Sequence, residues 1–173
     1  MDENSQMMEF MSLQALAQSA GHPGMIFMEH EGSGFTLLLK GKELEQENKA
    51  GFLRQEPVML SLSALPGSGE GAKEARLLSI TQTVRFPKEM EEKTASCIET
   101  WQNQVLSSGV LLDAEQGTLL LKAAFPLPHG TDALSPDVLG HAIHSFRQEA
   151  GTLYEMLTRE PFEPTTQTGG ETA

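Results

Sequence analysis

Cysteine is nearly missing from this chain: Cys97 stands alone, which excludes an intramolecular disulfide framework and any cysteine-built zinc cage. Basic residues are few as well, 12 against 24 acidic ones, for a formal charge of −12. Such a chain repels phosphate backbones and anionic membrane surfaces, so general nucleic-acid or membrane binding is not expected. No apolar stretch approaches the ~18 residues of a membrane span. The amino terminus, Met1-Asp2-Glu3-Asn4, lacks the positive start and apolar run of a secretory signal. With one cysteine and no export pattern, the expected location is a reducing cytoplasm.

What is present suffices for a folded protein. Hydrophobic residues make up 39% of the 173, and the chain has 16 glycines, an ordinary globular composition. A chain of this length buries roughly 68–70% of its unfolded surface, enough for one domain without a staple. Residues 1–160 are expected to form that domain. Residues 161–173, with Pro161, Pro164, four threonines, Gly169 and Gly170, are expected to form a disordered tail.

The periodicity predicts an α+β order. Met7 to Ala20 read as a helix stopped by Gly21 and Pro23, and Met25–Met28 with Phe35–Leu39 read as a hairpin around the loop Glu29–Gly34. The charged run Gly41–Ala50 reads as a strand fringe or an exposed turn. Val58–Leu65 and Arg76–Phe86 read as strands joined by a flexible connector, Gly67–Glu74. Met90, Thr94, Ile98, Trp101 and Val105 step by three or four residues along one side of a helix expected over Lys88–Leu106. Val110–Leu112 and Thr118–Phe125 then form a hairpin. Ser135, Pro136 and Asp137 carry the signature of a helix start, followed by the stripe Leu139, Ile143, Phe146, Ala150, Leu153 and Leu157.

Reactive constellations are weak. His141 and His144 sit three residues apart on the last helix and His129 precedes it, but a zinc site needs three or four converging ligands, and the apolar stripe turns both helical histidines toward solvent. Ser68, in Pro66-Gly67-Ser68-Gly69, lacks the strand-to-helix context of a nucleophile elbow. Cys97, beside Ile98, reads as a small core or boundary residue. No phosphate-binding glycine motif is present, and no cofactor is expected. No enzyme is expected either. Methionine is the unusual residue: Met1, Met7, Met8, Met11, Met25 and Met28 crowd the first 28 positions. Its flexible side chain suits an adaptable binding surface and equally suits irregular gaps beneath a helix.

In the carboxy half, Cys97-Ile98-Glu99-Thr100-Trp101-Gln102-Asn103-Gln104-Val105-Leu106, Gly109-Val110-Leu111-Leu112-Asp113, Gly117-Thr118-Leu119-Leu120-Leu121, Ala124-Phe125-Pro126-Leu127 and Leu134-Ser135-Pro136-Asp137-Val138-Leu139 follow one another as helix, hairpin and final helix. In this the chain resembles the class I type III secretion chaperones and their relatives, the sensory-transduction regulator family. The similarity spans residues 88–157; before Lys88 it rests on the order of elements. The resemblance implies an α+β fold with a twisted antiparallel sheet packed by helices, a homodimer, and binding of an extended apolar segment of a client protein. It directs client binding to the faces near Met25, Phe27, Leu37, Leu39, Leu60 and Leu62. A dimer seam would involve Trp101 and Val105 or the hairpin at Leu119 and Leu121, and each of these residues is equally compatible with ordinary core. Two other readings stand beside the chaperone or adaptor: a regulatory domain acting on a signalling partner, and a small metalloprotein using His129, His141 and His144.

Overall fold

A computed structural model describes residues 3–29, 34–41, 44–48, 51–67 and 75–159, with only the backbone course for 44–48, 51 and 52. Helix α1 (Glu3–Ser19) leads into strands β1 (Gly24–Met28), β2 (Phe35–Leu39), β3 (Leu44–Asn48), β4 (Gly51–Gln55), β5 (Met59–Ala64) and β6 (Arg76–Arg85). A 3-10 turn (Lys88–Met90), α2 (Glu91–Gln102), the hairpin β7 (Ser108–Asp113) and β8 (Thr118–Leu127), a second 3-10 turn (Thr131–Ala133) and α3 (Pro136–Thr158) complete it. Every strand pairing is antiparallel. The α+β class, the antiparallel sheet packed by helices and the order helix, strands, helix, hairpin, helix are those expected from the sequence.

One long path crosses the sheet as β1-β2-β5-β6-β8-β7. Alternate residues along it, including Leu37, Leu39, Leu60, Leu78, Ile80, Leu119 and Leu121, are buried beneath the helices in a single hydrophobic cluster. The six-residue stripe of α3 is fully inside it, together with Phe10, Leu13 and Ala17 of α1 and Ile98 and Trp101 of α2. Burying each large apolar side chain contributes about 1.5–3 kcal/mol relative to leaving it in water. The Ser135 hydroxyl caps α3 by accepting from the Val138 amide at 3.2 Å, with Pro136 at the first turn.

The charged segment differs from its expected role as a turn or fringe. Residues 44–48 and 51–55 form a hairpin of their own, joined to β6 through Arg54–Arg85 and Gln55–Val84. Between Gln55–Val84 and Met59–Thr81 the chain takes four steps against three, so β4 and β5 are two halves of one strand broken by a bulge at Glu56–Val58. Pro57, which has no amide to donate, fits the bulge. Its polar groups are met: the Glu56 amide donates to the Thr83 carbonyl at 2.8 Å, and the buried Gln82 side chain donates to the Glu56 carbonyl at 2.7 Å. Gln55 in turn donates to Gln82 at 2.9 Å. Such strands are held by backbone pairing, so apolar alternation is a poor guide to them.

The second helix also differs from its expected span. It is α-helical from Glu91 and ends at Gln102, four residues short of Leu106. The Leu106 and Ser107 amides and the Ser107 hydroxyl donate instead to the Glu149 carboxylate of α3 at 3.1–3.3 Å. Trp101 Nε1 donates to the Glu149 carbonyl at 2.8 Å, so both ends of one residue hold α2 and its exit against α3. At the opposite end, β8 runs two residues past Phe125. Beyond Ala123 it has no neighbour on its β7 side among the described residues, and proline is accommodated in such an edge segment. The connector residues 68–74, the loop residues 30–33 and the tail 161–173 lie outside the described residues.

Two polar joints make stability depend on pH. Burial alone would raise the Glu149 carboxyl, but the hydrogen bonds from the Leu106 and Ser107 amides and the Ser107 hydroxyl outweigh it and hold the group below its ordinary range. His22 accepts from Arg147 Nη1 at 3.1 Å, while Arg147 Nη2 donates to the Lys40 carbonyl at 3.0 Å. Burial, then the charges of Arg147 and His144, lower the imidazole. In both cases the folded state holds its protons less tightly than the unfolded chain, so stability falls as pH falls. The loss starts below about pH 7 as unfolded His22 begins to protonate, and continues below about pH 5 as Glu149 does. Urea titrations at pH 7.5, 5.5 and 4 are expected to show this decline; Glu149→Gln should flatten its acid part, and His22→Gln the part nearer neutrality. A profile unchanged in both variants would refute the assignment.

Candidate functional site

Among the described residues, the helices cover one face of the sheet and leave the other open. On the open side, register places Met25, Leu38, Met59, Thr81, Lys122 and Gly109 in one row, and Phe27, Thr36, Ser61, Ser79 and Ala124 in the next. Thr83, Leu120 and Leu111 form a third row. Glu29, whose carboxylate accepts from the Thr36 hydroxyl at 2.7 Å, lies at one margin, and Asp113 at another.

Among the described residues, strand β1 forms one edge of this sheet, and its five residues, Gly-Met-Ile-Phe-Met, carry no charge. Its position is fixed at the start. A Cβ on Gly24 would come within 2.7 Å of the Leu38 carbonyl oxygen, so only glycine lets β1 lie this close to β2. Gln14 Nε2 of α1 donates to the Gly24 carbonyl at 2.8 Å, and the Lys40 amide donates to the Pro23 carbonyl. Met25, Phe27 and Met28 are 46–57% exposed, and Met8 and Met11 of α1 are exposed as well. Five of the large exposed apolar side chains thus belong to α1 and β1. A groove between α1, β2 and β5 adjoins them, with Phe10, Phe35 and Leu62 along it and the Glu9–Arg76 ion pair, 3.1 Å between Nε and Oε1, at its side.

Of the six residues expected to meet a client, Met25 and Phe27 are exposed on the open face, and Leu62 is half-buried in the groove beside α1. Leu37, Leu39 and Leu60 are not: their strand positions point beneath the helices, and at no more than 1% exposure they are core. Trp101, Leu119 and Leu121 are completely buried within the single subunit, so they offer no seam; Val105 is partly buried against the same core. The period-2 pattern marks which residues share a face, but not which face the helices cover. The residues passed over were Met28 and the open-face Leu38, Met59, Leu111 and Leu120. Their only signal was an opposite parity to the buried set.

The histidines and the cysteine singled out in the sequence are not brought together among the described residues. His129, His141 and His144 are exposed, and no group of three or more histidine, cysteine or acidic side chains could hold a metal ion among the described residues. Burial pushes the Cys97 thiol up, against a smaller opposing pull from Lys93, and the sulfur lies 3.7 Å from the Met156 carbonyl. A thiol so placed stays protonated at neutral pH and is a poor nucleophile. Ser68 lies outside the described residues. No described helix is long and apolar enough to cross a membrane. No protein-family model matches the sequence, and no curated protein is significantly similar to it. Fold and surface together define a class: an antiparallel α+β protein, helices on one face of the sheet, with an uncharged edge strand and apolar side chains exposed beside it.

Proposed function

We propose that this protein is a non-enzymatic protein-binding module of the secretion-chaperone-like kind, working in the cytoplasm as a dimeric chaperone or adaptor that holds an extended apolar segment of a client. The observation that carries this reading is β1: an edge strand without charge, flanked by exposed Met25, Phe27, Met28, Met8 and Met11. Natural proteins usually blunt such an edge with lysine, proline or a bulge; leaving it open favours strand addition by a partner. Methionine adapts to varied apolar side chains, the groove beside Phe10 and Phe35 can take an anchor, and the charge of −12 keeps a loaded complex dispersed.

The test is an array of overlapping 15-residue peptides from the products of neighbouring genes, probed with the full chain. Bound peptides are expected to be apolar at alternate positions, and Phe27→Glu should weaken them at least tenfold while unfolding stability stays within about 0.5 kcal/mol, as for an exposed site. No bound peptide, or binding indifferent to Phe27→Glu, would overturn the reading. Bound segments of a sensor kinase or transcription factor, in place of exported proteins, would assign the chain to the regulatory alternative.

A further inference from the structure

The chain carries 24 acidic residues, yet the three rows from Leu38 through Met59, Thr81 and Lys122 to Gly109, from Thr36 through Ser61 and Ser79 to Ala124, and from Thr83 through Leu120 to Leu111 contain none. Lys122 is the single charged residue in those rows; carboxylates touch them only at their ends, where Glu29 accepts from the Thr36 hydroxyl and Glu56, beside Thr83, pairs with Arg85. We propose that this open face of β2-β5-β6-β8-β7 is where a second copy of the chain docks, sheet against sheet, leaving the outer edge of β1 free. The inference rests on the dimeric reading above and names its surface.

Three observations favour a second copy over a foreign partner. Two molecules of charge −12 repel, and they can meet only where carboxylates do not face their own copies; in a two-fold interface, residues near the axis meet themselves. The middle of this face is hydroxyl: Thr81, Thr83 and Ser61 are partly exposed, while Ser79 among them is buried. A hydroxyl both donates and accepts, so it is complementary to itself, as a charged group is not. The size suits a small two-fold interface. Five strands about 4.8 Å apart, crossed by rows spanning about five residues, present about 400 Å² in projection, and side-chain relief on both copies brings the buried total toward the ~1,000 Å² that a specific interface needs. Leu38, Met59, Leu111 and Leu120 supply the apolar contacts, and two aligned sheets can interdigitate across such faces.

Light scattering on the eluting full chain tests this. The unaltered protein is expected to be a dimer at 10 µM, and Thr81→Glu, which sets a carboxylate at the centre of the face, should raise the dimer dissociation constant at least 30-fold with unchanged circular dichroism. A second measurement needs no variant. Peroxide oxidation of Met59 should slow several-fold between 1 and 100 µM protein, while Met8 and Met11, on the helical side, keep their rates. A monomer at 100 µM, a dimer that Thr81→Glu leaves intact, or a Met59 rate independent of concentration would each overturn the proposal. Peptide capture is scored separately. Monomeric Thr81→Glu that still binds apolar peptides supports the face assigned here. An unaltered chain that is monomeric, and loses peptides on Thr81→Glu, would show that clients occupy the face and overturn it.

Discussion

Replacing Trp101 with alanine is expected to destabilise the protein by about 3–5 kcal/mol, the range for truncating a large buried aromatic. Trp101 is wholly buried in α2 among core residues, and its indole N–H reaches across to the Glu149 carbonyl of α3. Truncation therefore leaves a cavity and removes the bond that docks α2 on α3. Against a total of about 5–15 kcal/mol for a domain, the loss is a large share, and Tm should drop by roughly 6–20 °C. Trp101→Phe, which keeps most of the volume but loses the donor, should cost about 1–2 kcal/mol. Because Trp101 is the only tryptophan, far-UV circular dichroism in urea must follow the variants. A cost under 1 kcal/mol for the alanine change would mean that α2 is not held as described.

Gly117→Ala is the second large effect, at about 2–5 kcal/mol. Gly117 closes the β7–β8 turn at φ 60°, where Asp113 accepts from the Gln116 amide. The left-handed conformation costs an alanine roughly 1–2 kcal/mol. A Cβ would also stand 2.6 Å from the Phe86 carbonyl oxygen, while the Phe86 amide donates to the Gly117 carbonyl at 2.9 Å. Backbone cannot swing aside as a side chain does, so the turn and the end of β6 must part, which adds about 1–3 kcal/mol. Gly21 supplies the control: its φ is 84°, but a Cβ there meets nothing within 4 Å. Gly21→Ala should show the conformational cost alone, at least 1 kcal/mol less than Gly117→Ala. Equal costs in urea titrations would sink the argument from contact.

Much of the fold was legible because amphipathic periodicity is local. The α3 stripe, with its Ser135 cap and Pro136, is a helix from Pro136 with every named apolar position buried. The hairpin at residues 108–127 likewise followed from two apolar runs around Asp113–Gly117. The β3–β4 hairpin was hidden because glutamates and glutamine in β3 mask a strand whose support is a neighbour's backbone. The end of α2 was hidden because Glu149, 43 residues from Leu106, competes for its last amides. Half of the expected binding residues fell on the wrong side for a related reason: Leu37, Leu39 and Leu60 look no different from Leu38 and Met59 until the helices have chosen a face.

By itself, then, the sequence determined the class of fold, the placement of most helices and strands, and a large negative charge. These depend on residue types and spacings within one turn or one strand. Tertiary structure alone decided which face of the sheet is covered, which strand is left at the edge, and where carboxylates are kept away. Those outcomes arise from contacts between segments 40 to 125 residues apart, such as Trp101 with Glu149 and Arg147 with His22, and no local pattern encodes them.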